Sequence, residues 1–325
     1  MPHAAMRKWV VALLLVGPPR FAQADAPPFL LQWGSRGTLP GQFEFPLNLA
    51  TDAAGDVYVV DNYNNRIQKF SGSGAYIMQW GTYGSGDGQF DSPSGIAIDP
   101  AGYVYVTDIL NARIQKFTAT GAYVTQWGSL GSGVGQFDHP YGVAVDGAGS
   151  VYVTDGYNYR IQKFTDGGSY LGQWGSFGSG NSQFGKPGGI ATDAAGNVYV
   201  TDEVEDRIQK FTSLGTYLTQ WGSTGSGDGQ FDSPYGLAID PFGDVYVSDY
   251  HNDRVQKFSS IGVYLMQWGS RGTGQGSFRG PYGLTFDIHG NTFVADTRNY
   301  LVQKFGPMVT PARSTSWGRL KTLYR

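Results

Sequence analysis

The chain has 325 residues, enough for one large all-β domain or two smaller ones, and its 49 glycines and 15% aromatic content favour many short strands joined by tight turns. It has no cysteine, which excludes a disulfide framework, a cysteine-ligated zinc site and a RING-type ligase module. Three of the 23 basic residues precede Asp25 and four follow Phe305, leaving 16 against 26 acidic residues, a net charge of −10 that argues against nucleic acid as a partner.

Residues 1–24 read as a secretory signal. Arg7 and Lys8 precede an apolar stretch over 9–16, and Ala22-Gln23-Ala24 offers a small-x-small cleavage site before Asp25. That stretch is too short to cross a bilayer, which takes about 20 residues. The expectation is an exported protein, periplasmic, cell-surface or extracellular, with no membrane span.

A strand-like Phe29-Leu30-Leu31-Gln32-Trp33 follows, and its Gln-Trp pair returns at Gln79-Trp80, Gln126-Trp127, Gln173-Trp174, Gln220-Trp221 and Gln267-Trp268. Every step is 47 residues. Lys-Phe keeps the same step from Phe70 to Phe305, and proline from Pro46 to Pro281. Self-similarity of this kind is the signature of a repeat architecture. The copies lie near 42–80, 89–127, 136–174, 183–221, 230–268 and 277–305, the last completed by 29–33.

Each period holds four short runs. In the fifth copy they are Tyr235-Gly236-Leu237-Ala238-Ile239-Asp240, Val245-Tyr246-Val247-Ser248-Asp249, Arg254-Val255-Gln256-Lys257-Phe258 and Val263-Tyr264-Leu265-Met266-Gln267-Trp268. β-Branched and aromatic residues bounded by Gly, Pro, Asn or Asp predict strands. Four antiparallel strands per repeat make a propeller blade, so the spacing predicts an all-β, six-bladed β-propeller. The first Gln-Trp strand has no blade of its own. Paired with the third strand of the last copy, near Leu301, it would close the ring and remove an open edge. Trp317 offers a rival outer strand, but it stands two residues out of register and lacks the glutamine. Residues 306–325 are therefore read as a tail.

The pattern Phe-x-x-Pro-x-Gly-Ile-Ala-Ile-Asp over 90–99, Val-Tyr-Val-Thr-Asp over 104–108 and Asn-Ala-Arg-Ile-Gln-Lys-Phe over 111–117 resembles the NHL-repeat family. The resemblance spans about 29–305. It implies a six-bladed propeller that presents a protein-, peptide- or RNA-binding surface; a minority of similar propellers are metal-dependent lyases or lactonases. Two copies depart from it, with Asn48 in place of glycine and Leu301 in place of arginine.

Residues that recur in every copy are expected to build the fold. Asp61, Asp108, Asp155, Asp202, Asp249 and Asp296 end the second strands, and Arg66, Arg113, Arg160, Arg207 and Arg254 begin the third, flanking one tight loop. A carboxylate there can accept loop N–H bonds and pair with the guanidinium. Function belongs where copies differ, on the loops of a rigid ring. The connection into each first strand and the loop after each second strand share one face. The candidate ligand-contacting residues on it are Tyr63, Tyr141, Tyr157, Tyr159, Tyr235, Tyr250, His251, Tyr282 and Arg298, beside Asn64 and Asn111; Tyr in particular supplies contact area at low entropic cost.

A catalytic reading stands second. A zinc site needs about three converging ligands, and of His139, His251 and His289 the last is expected on the opposite face. Asp87 and Asp228, in glycine-rich loops, leave only weak scope for calcium. The sequence thus predicts a monomeric, cofactor-free propeller that binds a protein or peptide.

Overall fold

In the computed structural model, residues 26–307 are described. The predicted leader at 1–24, most of the tail and Trp317 lie outside the described residues.

Every predicted strand is present. β1 (Phe29–Trp33) is followed by β2 (Pro46–Thr51), β3 (Val57–Asp61), β4 (Arg66–Phe70) and β5 (Tyr76–Trp80), which pair in that order as blade one. The same four-strand unit recurs as β6–β9 within 93–127, β10–β13 within 140–174, β14–β17 within 187–221 and β18–β21 within 234–268. Blade six is β22 (Pro281–Phe286), β23 (Thr292–Asp296), β24 (Leu301–Phe305) and, on its outer edge, β1. The ring therefore closes as the sequence predicts: β1 runs antiparallel to β24, with Gln32 opposite Gln303 and Trp33 opposite Val302.

Burial falls from the inside of each blade to its rim. All five residues of every second strand are buried, because both of its faces meet a neighbouring blade. Outer strands such as β9 alternate between partly buried and exposed. Each outer Trp leans on the third strand of the next blade: Trp33 on Phe70, Trp80 on Phe117 and so on to Trp268 on Phe305, with ring centroids 5.7–6.0 Å apart. These aromatic contacts wedge twisted sheets together at their widest separation.

Near the axis the inner strands crowd. A Cβ on Gly95 would lie 2.5 Å from the Tyr141 carbonyl, and one on Gly142 would lie 2.6 Å from that of Gly188. The repeated glycine is thus a steric requirement of the inner strands. Blade one departs with Asn48, which packs against Gly283 of blade six.

Candidate binding face

The face carrying the second-strand loops is built on one repeated network. Asp61, fully buried, accepts the Glu44 N–H at 2.7 Å, the Asn64 side-chain amide at 2.9 Å, Arg66 Nε at 2.7 Å and the Gln68 amide at 3.1 Å. Arg66 in turn donates to the carbonyls of Thr38, Leu39 and Gln42 in the loop leading into the blade. Asp108–Arg113, Asp155–Arg160, Asp202–Arg207 and Asp249–Arg254 repeat the ion pair at 2.7–3.2 Å. Burial pushes these carboxyls upward while the donors around them oppose it. The recurring residues are the frame that fixes the loops. Asn64 and Asn111, placed on the recognition surface by sequence, are committed to that frame through Gly37 and Gly84 carbonyls.

In blade six the arginine is replaced by Leu301, and Asp296 keeps only neutral donors: the Arg279 N–H and the side chains of Asn299 and Gln303. Burial, aggravated by nearby Asp253, raises its carboxyl to about 6.

Three of the candidate tyrosines converge. Tyr235 and Tyr282 stack with centroids 4.4 Å apart, and Tyr250 meets both edge-on at 5.1 and 6.1 Å. Tyr250 is only 8% exposed, so it supports this cluster from beneath. His251 and Arg298 flank it, His251 against the Tyr250 ring at 5.0 Å and the Arg298 guanidinium over the same ring at 4.9 Å. Tyr141 and Tyr157 form a second group with His139, whose ring centroid is 4.2 Å from that of Tyr157. Tyr63 is 61% exposed and stacks on Phe45 at 4.9 Å.

Tyr159 stands apart. It takes a left-handed backbone conformation and packs on Phe177 of the next connecting loop, away from the other tyrosines.

Blade four, through Lys186, supplies what the sequence reading did not single out. Lys186 pairs with Glu203 at 2.7 Å and lies 4.5 Å over the Tyr141 ring, while the Tyr235 hydroxyl donates to Glu203. The two tyrosine groups are thereby linked across the blade that contributes only Gly188 to the ring of first-strand residues. Burial and the neighbouring Glu203 and tyrosine oxygens hold the Tyr141 and Tyr235 hydroxyls well above the ordinary tyrosine range, so both remain protonated donors. The available signal was the break in the repeat, Gly185-Lys186 where other copies carry an acid or arginine followed by a small, aromatic or His residue.

Between blades one, two and three, and reached by Tyr282 of blade six, lies a cavity of 270 Å³ lined also by Phe45, Leu47, Tyr63, Ser94, Leu110, His139 and Tyr141. Ser94, 1% exposed, lies in its wall beside Tyr282. Larger hollows, of 470 and 410 Å³, open on the opposite face among the turns after the first strands. Their carboxylates are occupied: Asp52, for example, accepts the N–H groups of Ala54 and Asp56, the Tyr58 hydroxyl and Lys69. Those turns repeat from blade to blade, whereas the tyrosine-bearing face does not. Among the described residues no group of three or more His, Asp or Glu side chains is arranged to hold a metal ion, and no helix is long and apolar enough to cross a membrane.

An NHL-repeat family model matches residues 43–70, 137–164 and 231–258, which are the cores of blades one, three and five. No curated protein matches the chain. Among solved structures, a structural-genomics protein of unknown function from Bacteroides thetaiotaomicron aligns with a TM-score of 0.66 at 17% identity, covering 85% of this chain and 76% of that one. Virginiamycin B lyase from Staphylococcus aureus aligns with a TM-score of 0.57 at 16% identity, covering 80% of each chain. A streptogramin B lyase gives 0.56 at 16%, covering 79% and 77%. At these identities the likeness is one of fold.

Proposed function

Because the chain is a six-bladed β-propeller of NHL repeats, we propose that it works as an exported binding protein, recognising a protein or peptide through the loops of its tyrosine-bearing face. One observation carries the reading. The residues of the Asp–Arg frame recur blade after blade, while the exposed position beside that frame changes: Tyr63, Leu110, Tyr157 and Val204 in blades one to four, each 46–61% exposed, then His251 and Arg298. Exposed apolar and aromatic side chains on a rigid scaffold suit recognition of another surface. Binding of this kind needs no cofactor and is compatible with a monomer.

The test is a crosslinking capture from the compartment to which the protein is exported. The mature chain is compared with a variant carrying Tyr63→Ser, Leu110→Ser and Tyr157→Ser, and with a control, Phe242→Ser, on the opposite face. Loss of the captured partner in the first variant alone is the expected result. Equal capture by all three would sink the reading. Firmly held stoichiometric metal in the purified protein would instead favour the lyase or hydrolase alternative.

A further inference from the structure

Blade six reverses the charge of the binding face. In the loop leading into blade one, Arg36 and Glu44 stand side by side, guanidinium to carboxylate at 3.0 Å. Five repeats further along the chain, the same two places in blade six hold Arg271 and Arg279. Blades two, three and five put Asp91, Asp138 and Asp232 where Arg279 stands. Arg298 stands on the adjoining loop: its backbone N–H donates to the Arg279 carbonyl at 3.0 Å, and its guanidinium lies over the Tyr250 ring. All three arginines are exposed. Among the described residues none of them forms an ion pair.

Two cations at the places that make an ion pair in blade one favour an anion held between them. Guanidinium forks bind carboxylates in paired, directional hydrogen bonds. The cluster is also local: the rest of the body is acidic, so it is no part of a general basic surface. On the same face lie Tyr63 of the adjoining blade one and, further round the ring, Leu110 and Val204, each at least 57% exposed.

We infer that Arg271, Arg279 and Arg298 anchor a carboxylate of an acidic peptide segment whose neighbouring apolar side chains rest on blades one to four. The inference rests on the reading of this face as a peptide-binding surface and adds the chemistry of its partner.

The probe is a dye-labelled peptide of three glutamates followed by two leucines and a phenylalanine, followed by fluorescence anisotropy. The wild-type chain is expected to bind it saturably, with affinity falling steeply as salt rises. Arg271→Gln, Arg279→Gln and Arg298→Gln together should weaken binding about tenfold or more, because charge-assisted contacts are lost. Arg36→Gln, whose side chain is already paired with Glu44, should leave affinity within about twofold on the same reasoning. Unchanged melting of the triple variant, expected for exposed residues, confirms that folding is intact. Binding by the triple variant within twofold of wild type overturns the anchor; so does the absence of saturable binding by the wild type, or tighter binding of a polygalacturonate oligomer of equal charge. If Leu110→Ser with Tyr157→Ser abolishes peptide binding while the arginine variant retains it, the face stands and the anchor falls. If neither set of changes alters it, both fall.

Discussion

Asp108 and Arg113 show what one repeated pair contributes. The carboxylate is fully buried and the guanidinium nearly so, and Arg113 also donates to Ser85, Gly86 and Gln89 carbonyls in the connecting loop. Arg113→Gln strands a buried charge and frees that loop, at a cost of about 3–5 kcal/mol; urea titration of the purified protein measures it. Leu301 makes the converse experiment available. Asp296 titrates near 6 when folded, against 3.8 as the ordinary value, so the native state binds more protons than the unfolded chain between those pH values. Its contribution to stability is full below pH 3.8 and is lost as pH rises through 6, a loss of about 3 kcal/mol for a shift of this size. Leu301→Arg restores the missing partner. It should raise the melting temperature at pH 7 and above, with the gain shrinking toward pH 4, as a pH series of thermal melts would show. An unchanged Tm difference across that range would mean that Asp296 does not set it. The structural roles of these residues were legible in the sequence because sixfold recurrence marks a scaffold. The ties of Lys186 to Glu203 and of Tyr235 to Glu203 were not, because they depend on where loop side chains of different blades point. Spacing likewise could not separate Tyr157, which joins the His139 group, from Tyr159, two residues on and turned away.

At the level of strands, the placement of β1 was readable because its Gln32-Trp33 marks a fourth strand that precedes the first full repeat. The strand carries more than its hydrogen bonds. Phe29 packs on Phe305 at 6.0 Å, and Trp33 touches both Phe70 of blade one and Phe293 of blade six. Deleting residues 27–34 uncovers β24 and unseats that Trp. Loss of a large packed aromatic alone costs up to about 3–5 kcal/mol, which for a domain of this size lowers Tm by roughly 5–8 °C. A deletion that melts with the parent would refute closure by this strand. The inner strands were less transparent. The repeated glycine suggested crowding at the axis, and the distances to the carbonyls of the adjacent blade give its cause, but nothing in the sequence told that Asn48 is accommodated beside Gly283.

Across the whole ring, each blade touches two others and none is terminal, so the molecule lacks the frayed ends of an open repeat array. The six outer tryptophans all sit at blade junctions and report on every interface at once. Their fluorescence and the far-UV circular dichroism should therefore give superimposable unfolding curves. Separate transitions would mean that blades part before their strands melt. The face chemistry belongs to this scale too, since the apolar positions of blades one to four and the arginines of blade six share one side of the ring.

The joining of β1 to β24 also gives the polypeptide a gauge of its own length. Synthesis delivers β1 before blade one and its partner β24 only after blade five, so five blades can assemble while β1 waits unmatched. A chain cut short anywhere in between keeps a bare strand at each end, a ready target for proteases and for pairing with other chains. Only a complete copy can hide both.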